Sequence, residues 1–402
     1  MPTERLYFAD PYLTTFTAHV VERGSLGGRI AVVLDRTAFY PEGGGQPADT
    51  GKLGDASVLD VRVDDVGGIW HALGGPLGAD VVEGTVDWPR RFDHMQQHHG
   101  QHLLSAAFER LFGLRTVSFH LGAESATIDL AAKEVNEEQV LAAEHLTNRV
   151  IWEDHPVRAR FVTAEELATL PLRKAPVVGG PIRVVSAGDF DHSACGGTHP
   201  KSTGAVGLLS VRRTERRGSE TRVEFVCGSR ALRDLRQIGA LLTRVATSLT
   251  VGAEELEASV GRLRDSEAGA RKRAQELVEQ LAGFEAEKLL AMAPVVGGVR
   301  VVRQIFADRT LNELRFLAGA IAVRGGLALL GLSVEKAQLV FARGAASRVD
   351  CGALLRETLA AFGGKGGGQP AMAQGGLPDP AKLDAALDAA VDRIRSKASE
   401  GE

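Results

Sequence analysis

The chain of 402 residues has only three cysteines, Cys195, Cys227 and Cys351, far apart and odd in number. That argues against a disulfide framework and for a reducing, cytoplasmic setting. An excess of one charge is also missing: 47 Lys and Arg against 51 Asp and Glu leave a net −4. The protein as a whole is therefore no electrostatic binder of nucleic acid, and any basic surface has to be local. Long hydrophobic runs are lacking too. The most apolar region, beginning near Leu317, is cut by Arg324 and by glycines and is too short to span a bilayer. Met1 to Asp10 is charged and has no apolar core, so it does not read as a signal peptide. What remains is an ordinary globular composition, 44% hydrophobic and 24% charged, at a length that holds two or three domains with sizeable cores.

One of the rare cysteines sits in a distinctive stretch, Asp191 to His199, where Cys195 and His199 form a Cys-x3-His pair with Gly196 and Gly197 between them. About a hundred residues upstream, Gln97 to His102 contains a His-x3-His pair, His98 and His102. One thiolate and three imidazoles make a good tetrahedral zinc set. On a helix, an i,i+4 pair lies on one face and can grip a single ion. His94, His98 and His102 form a ladder at that spacing, with His99 turned about 100° from His98. Periodicity leaves the pairs 94/98 and 98/102 both open.

In chain order, residues 1–88 read as short strands, such as Arg29–Leu34 and Ala56–Val63, in a small barrel or sandwich. They contain Asp35 to Pro47, with Gly43, Gly44 and Gly45 in a row. Triple glycine suits either a tight β-turn or a close approach of a partner to the main chain. Residues 89–232 read as α+β, with helices over Arg91–Leu111 and Glu134–Trp152 and strands near Val157–Val162, Ile182–Val185, Ala205–Val211 and Thr221–Cys227. Between Lys201 and Arg236, nine Lys and Arg face four Asp and Glu, densest at Arg212, Arg213, Arg216 and Arg217. That is a solvated hairpin or a phosphate-contacting edge.

Residues 233–291 read as one long helical stretch whose Leu256, Val260, Leu263, Ala270, Ala274, Leu277, Leu281 and Phe284 follow a heptad seam, broken at Glu267. Its length favours a homodimer over an intramolecular partner. Residues 292–402 read as an α/β unit with strands at Val299–Ile305 and Gln338–Ala342 and helices at Thr310–Val323, Cys351–Phe362 and Pro380–Lys397. Between the last two lies Gly363 to Gly376. It is no P-loop, because Lys365 is followed by Gly366. Bare amides with Lys365 can cradle phosphate, and the alternative is a flexible surface loop. The whole is an α+β multidomain chain.

Cys195 to His199 and Gln97 to Ser105 resemble the two zinc motifs of the alanyl-tRNA editing domain, found in alanyl-tRNA synthetases and in free-standing AlaX proteins. The resemblance selects the pair 98/102, with His99 where threonine is more usual. Asp35 to Pro47 resembles the family's glycine-rich motif, which packs over the zinc site. Thr37 matches its threonine, implied to contact the hydroxyl of a mischarged serine, and Gln46 matches its glutamine. Ser202 to Gly207 and Ser219 to Gly228 resemble further segments, with Cys227 at a threonine position and read as a half-buried packing residue. Gly363 to Gly376 resembles the signature of the DHHA1 domain, which implies nucleic-acid contact and dimerisation.

The resemblance runs through nearly the whole chain, and with the barrel at the N-terminus a free-standing, long-form AlaX protein is expected. Its implied activity is zinc-assisted hydrolysis of mischarged tRNA(Ala), chiefly seryl-tRNA(Ala), with glycyl-tRNA(Ala) as a second substrate. Cys195, His98 and His102 are implied firm ligands, and His199 either ligates or yields its place to water. Two rivals stand. A DHH-type phosphoesterase needs an Asp-His-His cluster, but Asp93-His94 is followed by Met95. A non-catalytic RNA-binding protein with a structural zinc fits four closed ligands.

Overall fold

The computed structural model describes residues 2–173, 182–333 and 336–399. They form two compact units that divide at Val245. The first unit opens with a closed barrel of six strands. In order around it run Thr15–Leu26, Arg29–Leu34, Ile69–Leu73, Ala56–Val63, Gly51–Leu53 and Val81–Val86. Alternation builds the wall: Val82 and Val86 point inward and join Phe16, Val32, Leu53, Val58 and Ile69 in the barrel core. Closure leaves no open edge.

The glycine-rich connection between Leu34 and Gly51 makes a tight turn. Gly43 and Gln46 exchange backbone hydrogen bonds of 3.1 and 2.9 Å, with Gly44 and Gly45 at φ +56° and +83°. Of the two sequence alternatives, the tight β-turn is the one that forms. The glycines make a β-turn, and a Cβ on Gly45 would come within 2.8 Å of Phe119 on the neighbouring strand.

The rest of this unit is built round one helix, Trp88–Phe112, hereafter the site helix. Asp87 caps it by accepting from Arg90 N, Pro89 lies in its first turn, and Gly113 at φ +67° ends it. Residues 94–108 are buried without a break, because elements pack on all its sides. A four-stranded antiparallel sheet lies along it, in the order Leu209–Arg217, Glu220–Cys227, Ala126–Leu130, Thr116–Leu121. The helix Glu137–Trp152 shares the same core. A three-stranded antiparallel sheet, Val157–Val162, Ile182–Ala187 and Asp191–Ala194, carries the cysteine motif at its end. Gly100 lets the site helix approach the sheet: a Cβ there would lie 2.3 Å from Cys227 Sγ. Cys227 is fully buried, a packing residue whose thiol burial pushes up.

The structure departs from the sequence expectation at three places. Thr203–Val206 is a 3-10 turn, so the strand expected from Ala205 starts at Leu209. The cause is Thr203, whose hydroxyl donates to Val150 O at 2.7 Å and holds the segment off the sheet. The long helical stretch is two helices, Gly228–Ser248 and Leu256–Met292, interrupted where Thr250 takes φ +56°. Finally, Gly363 to Gly376 is no loose loop. Lys365–Gly368 and Met372–Leu377 form an antiparallel hairpin. A Cβ on Gly375 would lie 2.4 Å from Leu359 Cδ1, so glycine is what lets the helix Cys351–Ala361 sit on this hairpin.

The second unit is a six-stranded mixed sheet in the order Val295–Val296, Val299–Phe306, Leu327–Leu332, Ala337–Arg343, Met372–Leu377, Lys365–Gly368. Only Val299–Phe306 and Leu327–Leu332 run parallel, joined through the helix Leu311–Val323. That helix and the end of Leu256–Met292 cover one face; Cys351–Ala361 and Leu383–Ser399 cover the other. The heptad residues Val260, Leu263, Leu277, Leu281 and Phe284 stay exposed, while Ala282, Ala286 and Leu290 of the same helix are buried against the sheet.

Gly100→Ala is expected to destabilise the protein by about 1–3 kcal/mol through overpacking. Adding Cys227→Ala should recover part of the loss. Urea unfolding of the two variants checks this, and an unshifted Gly100→Ala midpoint would contradict the packing described.

Candidate metal centre

His98 and His102 project from successive turns of the site helix, their rings stacked with centroids 5.2 Å apart. Cys195 and His199 come from the loop that leaves the strand Asp191–Ala194. His98 Nε2 lies 3.2 Å and His199 Nε2 3.3 Å from Cys195 Sγ. The donor atoms of the four residues all fall within 4.8 Å of one another. His94 is not among them, so the pair 98/102 is the one the fold brings to the cysteine.

Each imidazole is held from behind. His98 Nδ1 donates to Gln46 Oε1 at 2.8 Å and His102 Nδ1 to Asp191 Oδ2 at 3.0 Å. His199 Nδ1 lies 3.1 Å from His99 Nδ1. In every case the outward Nε2 is left for the centre, the arrangement that orients metal-binding histidines. The outer layer is itself anchored. Gln46 donates to Thr198 Oγ1 at 2.7 Å and accepts from Thr198 N at 3.2 Å. Asp191 accepts from Arg173 Nε at 3.0 Å and from Ser193 Oγ. Arg183 donates to the carbonyls of Cys195 and Gly197, both at 2.9 Å, and so clamps the loop. Gly197 has no alternative, because a Cβ there would lie 2.4 Å from the His98 ring.

The electrostatics follow from this crowding. Burial alone would raise the Cys195 thiol, but His98, His199 and His102 outweigh it and hold the thiol well below its ordinary value. Burial depresses His102 as well. Its bonds to Asp191 and to the Cys195 thiolate overcome that and lift it to about 9. His199, with burial dominant, falls to about 3. A preformed thiolate and imidazoles fixed from behind suit a divalent cation of borderline softness, and a cation would displace the His102 proton. These four residues could hold a metal. His98, His102 and Cys195 also line a cleft of about 450 Å³, together with Tyr40, Ser118 and Phe119.

Thr37 lies elsewhere. It is fully buried at the barrel and is not among the cleft-lining residues described. His71 Nδ1 donates to Val32 O at 3.3 Å, and burial holds this ring neutral by pulling it down to about 4. His71 Nε2 is therefore an acceptor, and Thr37 Oγ1 donates to it at 2.9 Å while accepting from Phe39 N at 3.1 Å. One lone pair of Thr37 stays unused. Of the arginine cluster, Arg212 pairs with Asp234 and Glu224, Arg213 with Glu224, and Arg217 with Glu215. Arg216 has no ion pair among the described residues. None of the four lines the cleft, and Lys365 lies on its hairpin in the second unit.

Reasoning from sequence missed Gln46's partner Thr198, Asp191, Arg173, Arg183 and the contact of His99 with His199. Only Asp191 left a trace. It alternates with Ser193 on a short strand, and both face inward.

Family models match three segments. Residues 13–74 match "tRNA synthetases class II (A)", residues 182–224 "Threonyl and Alanyl tRNA synthetase second additional domain" and residues 299–396 "DHHA1 domain". The alanyl-tRNA editing protein AlaX-L of Pyrococcus horikoshii is 33% identical over 411 residues, covering 98% of this chain and 98% of that protein. Alanine–tRNA ligase of Methanoregula boonei is 34% identical and that of Methanosarcina barkeri 33%, each over 98% of this chain. The chain spans less than half of those ligases, 43% and 44%.

Gln46→Ala removes the acceptor behind His98. It is expected to weaken metal binding about 10–100-fold, measured by competition against a chromophoric chelator. Unchanged affinity would contradict the role of the back-bond.

Proposed function

Because the chain belongs to the family of the alanyl-tRNA editing protein AlaX-L, we propose that it is a zinc-dependent deacylase that hydrolyses mischarged tRNA(Ala), chiefly seryl-tRNA(Ala) and also glycyl-tRNA(Ala). The observation that carries this reading is the convergence of His98, His102, Cys195 and His199 beside an open cleft. Zinc, when bound, supplies Lewis-acid polarisation of an ester carbonyl. An aminoacyl ester is already activated, so no covalent nucleophile is required of the chain. Its own residues do the rest. Gln46 and Asp191 hold the two helical imidazoles, Arg183 holds the loop, and Tyr40 and Phe119 wall the cleft.

Thr37 is the proposed reader of serine. Thr37 is buried and does not line the cleft, so this reading requires the seryl hydroxyl to reach the lone pair that its bonds to His71 and Phe39 leave; a site that hydrogen-bonds a hydroxyl discriminates strongly against its absence. Alanyl-tRNA would be spared on that ground. The exposed arginines of Leu209–Arg217 and Lys365 are proposed to contact the tRNA backbone. The exposed apolar seam on Leu256–Met292 is proposed to close a homodimer. A second reading, a non-catalytic tRNA-binding protein with structural zinc, is favoured by one observation: four protein donors leave no open position.

The test is release of labelled serine from seryl-tRNA(Ala), with alanyl-tRNA(Ala) alongside, with and without a chelator. Fast, chelator-sensitive release from the seryl ester alone is expected, falling at least ~100-fold in Cys195→Ala, in line with loss of a Lewis acid. Thr37→Val should erode the preference for serine over alanine. A zinc-loaded protein that releases nothing would leave the structural-zinc reading. For the dimer, light scattering on the full chain is expected to give two copies, and Phe284→Glu with Leu277→Glu one. A monomeric parent chain refutes that part.

A further inference from the structure

His99 follows His98 on the site helix but is turned away from the four converging donors. Its ring is completely buried. Nδ1 lies 3.1 Å from Nδ1 of His199, while Nε2 has no hydrogen-bond partner among the described residues. A buried polar nitrogen left alone is uncommon in a folded core and calls for a reason.

The proton positions supply one. A neutral imidazole carries one donor and one acceptor nitrogen. His199 directs Nε2 at Cys195 Sγ, 3.3 Å away, so to ligate a metal that nitrogen must be the bare one. Its proton then sits on Nδ1 and is donated to His99 Nδ1. That makes His99 Nδ1 the acceptor and places the proton of His99 on Nε2, the atom without a partner. The unpartnered N–H is the consequence of making His99 an acceptor toward His199.

We propose that His99 is a positioning residue that holds His199 in its ligating tautomer and so makes it a standing fourth ligand. This rests on the zinc reading above, and with four protein ligands the deacylase form of that reading requires the ester carbonyl to join as a fifth. It extends to His199 what Gln46 does for His98 and Asp191 for His102, with a nitrogen acceptor supplied by the same helix as two of the ligands.

The experiment uses the full chain and zinc alone. His99→Leu keeps the volume and removes the acceptor; His99→Asn places a side-chain oxygen near the former Nδ1. Zinc affinity is read by chelator competition, and the coordination number by the ligand-field absorption of cobalt(II) in place of zinc. His99→Leu is expected to bind zinc about 10–100-fold more weakly and to lose tetrahedral cobalt intensity, with His99→Asn recovering most of both. Parental behaviour in His99→Leu, or equal losses in both variants, overturns the proposal and leaves His99 a packing residue. A parent chain that binds no zinc removes the metal reading and this inference together, a result distinct from either. Should His99→Leu not fold, nitrogen-15 spectra of the zinc-loaded parent decide the matter. Protons on His99 Nε2 and His199 Nδ1 are expected, and a proton on His99 Nδ1 overturns the proposal.

Discussion

Arg91 and Asp49 form an ion pair with no exposure to solvent on either side chain, and the geometry of the first unit depends on it. The guanidinium donates to Asp49, to Pro11 O at 2.9 Å and to Ala38 O at 2.5 Å. Asp49 accepts in addition from Tyr40 N at 2.6 Å. One cation thus ties the start of the barrel and both ends of its glycine-rich connection to the first turn of the site helix. Arg91 stands two turns before His98 on the same helix. The pair therefore sets how far Gln46 lies from the imidazole it supports. Removing either partner would strand a buried charge, which typically costs about 3–5 kcal/mol.

From that clamp outward the site is a layered polar network. The inner layer is a thiolate and three imidazoles. The next layer, Gln46, Asp191 and His99, decides which nitrogen of each ring faces inward. A third, Thr198, Ser193 and Arg173, holds Gln46 and Asp191, while Arg183 clamps the loop of Cys195 and Gly197. Such networks specify a single arrangement when every member is satisfied, because a low-dielectric interior makes an unpaired group costly. Here one member, His99 Nε2, is not satisfied among the described residues, and its ring sits directly behind the proposed ligand His199.

Legibility varied with the range of the interactions involved. The site helix could be read from the spacing of Met95, His98, His102 and Phe108, since periodicity is local; its start at Trp88, capped by Asp87, precedes the expected Arg91. The strands of the barrel were legible as β-branched runs between glycine turns. Ala205 and Val206 were misread as strand because the turn Thr203–Val206 is imposed by a hydrogen bond from Thr203 to Val150, more than fifty residues away. The helical break at Thr250 was missed because no proline or glycine pair marks it; Gly252 alone is a weak signal. The glycine hairpin looked loose because glycine runs usually are. Its order comes from Leu359 pressing on it from another element.

By itself the sequence determined the α+β multidomain class, a small barrel or sandwich at the start and, with the family resemblance choosing 98/102 over 94/98, the two halves of a candidate metal centre. Cys195 with His199, and His98 with His102, are pairs that a helix turn or a short loop brings into one place. Only tertiary structure decided that the two pairs meet, and that His94 does not join them. It alone showed that Thr37 is bound to His71 away from the cleft, and that Arg212 and Arg213 spend their charge on Asp234 and Glu224. The physical reason is common to all of these. Which nitrogen a histidine offers, and whether an arginine is free, depend on partners from distant segments, and no local pattern records them.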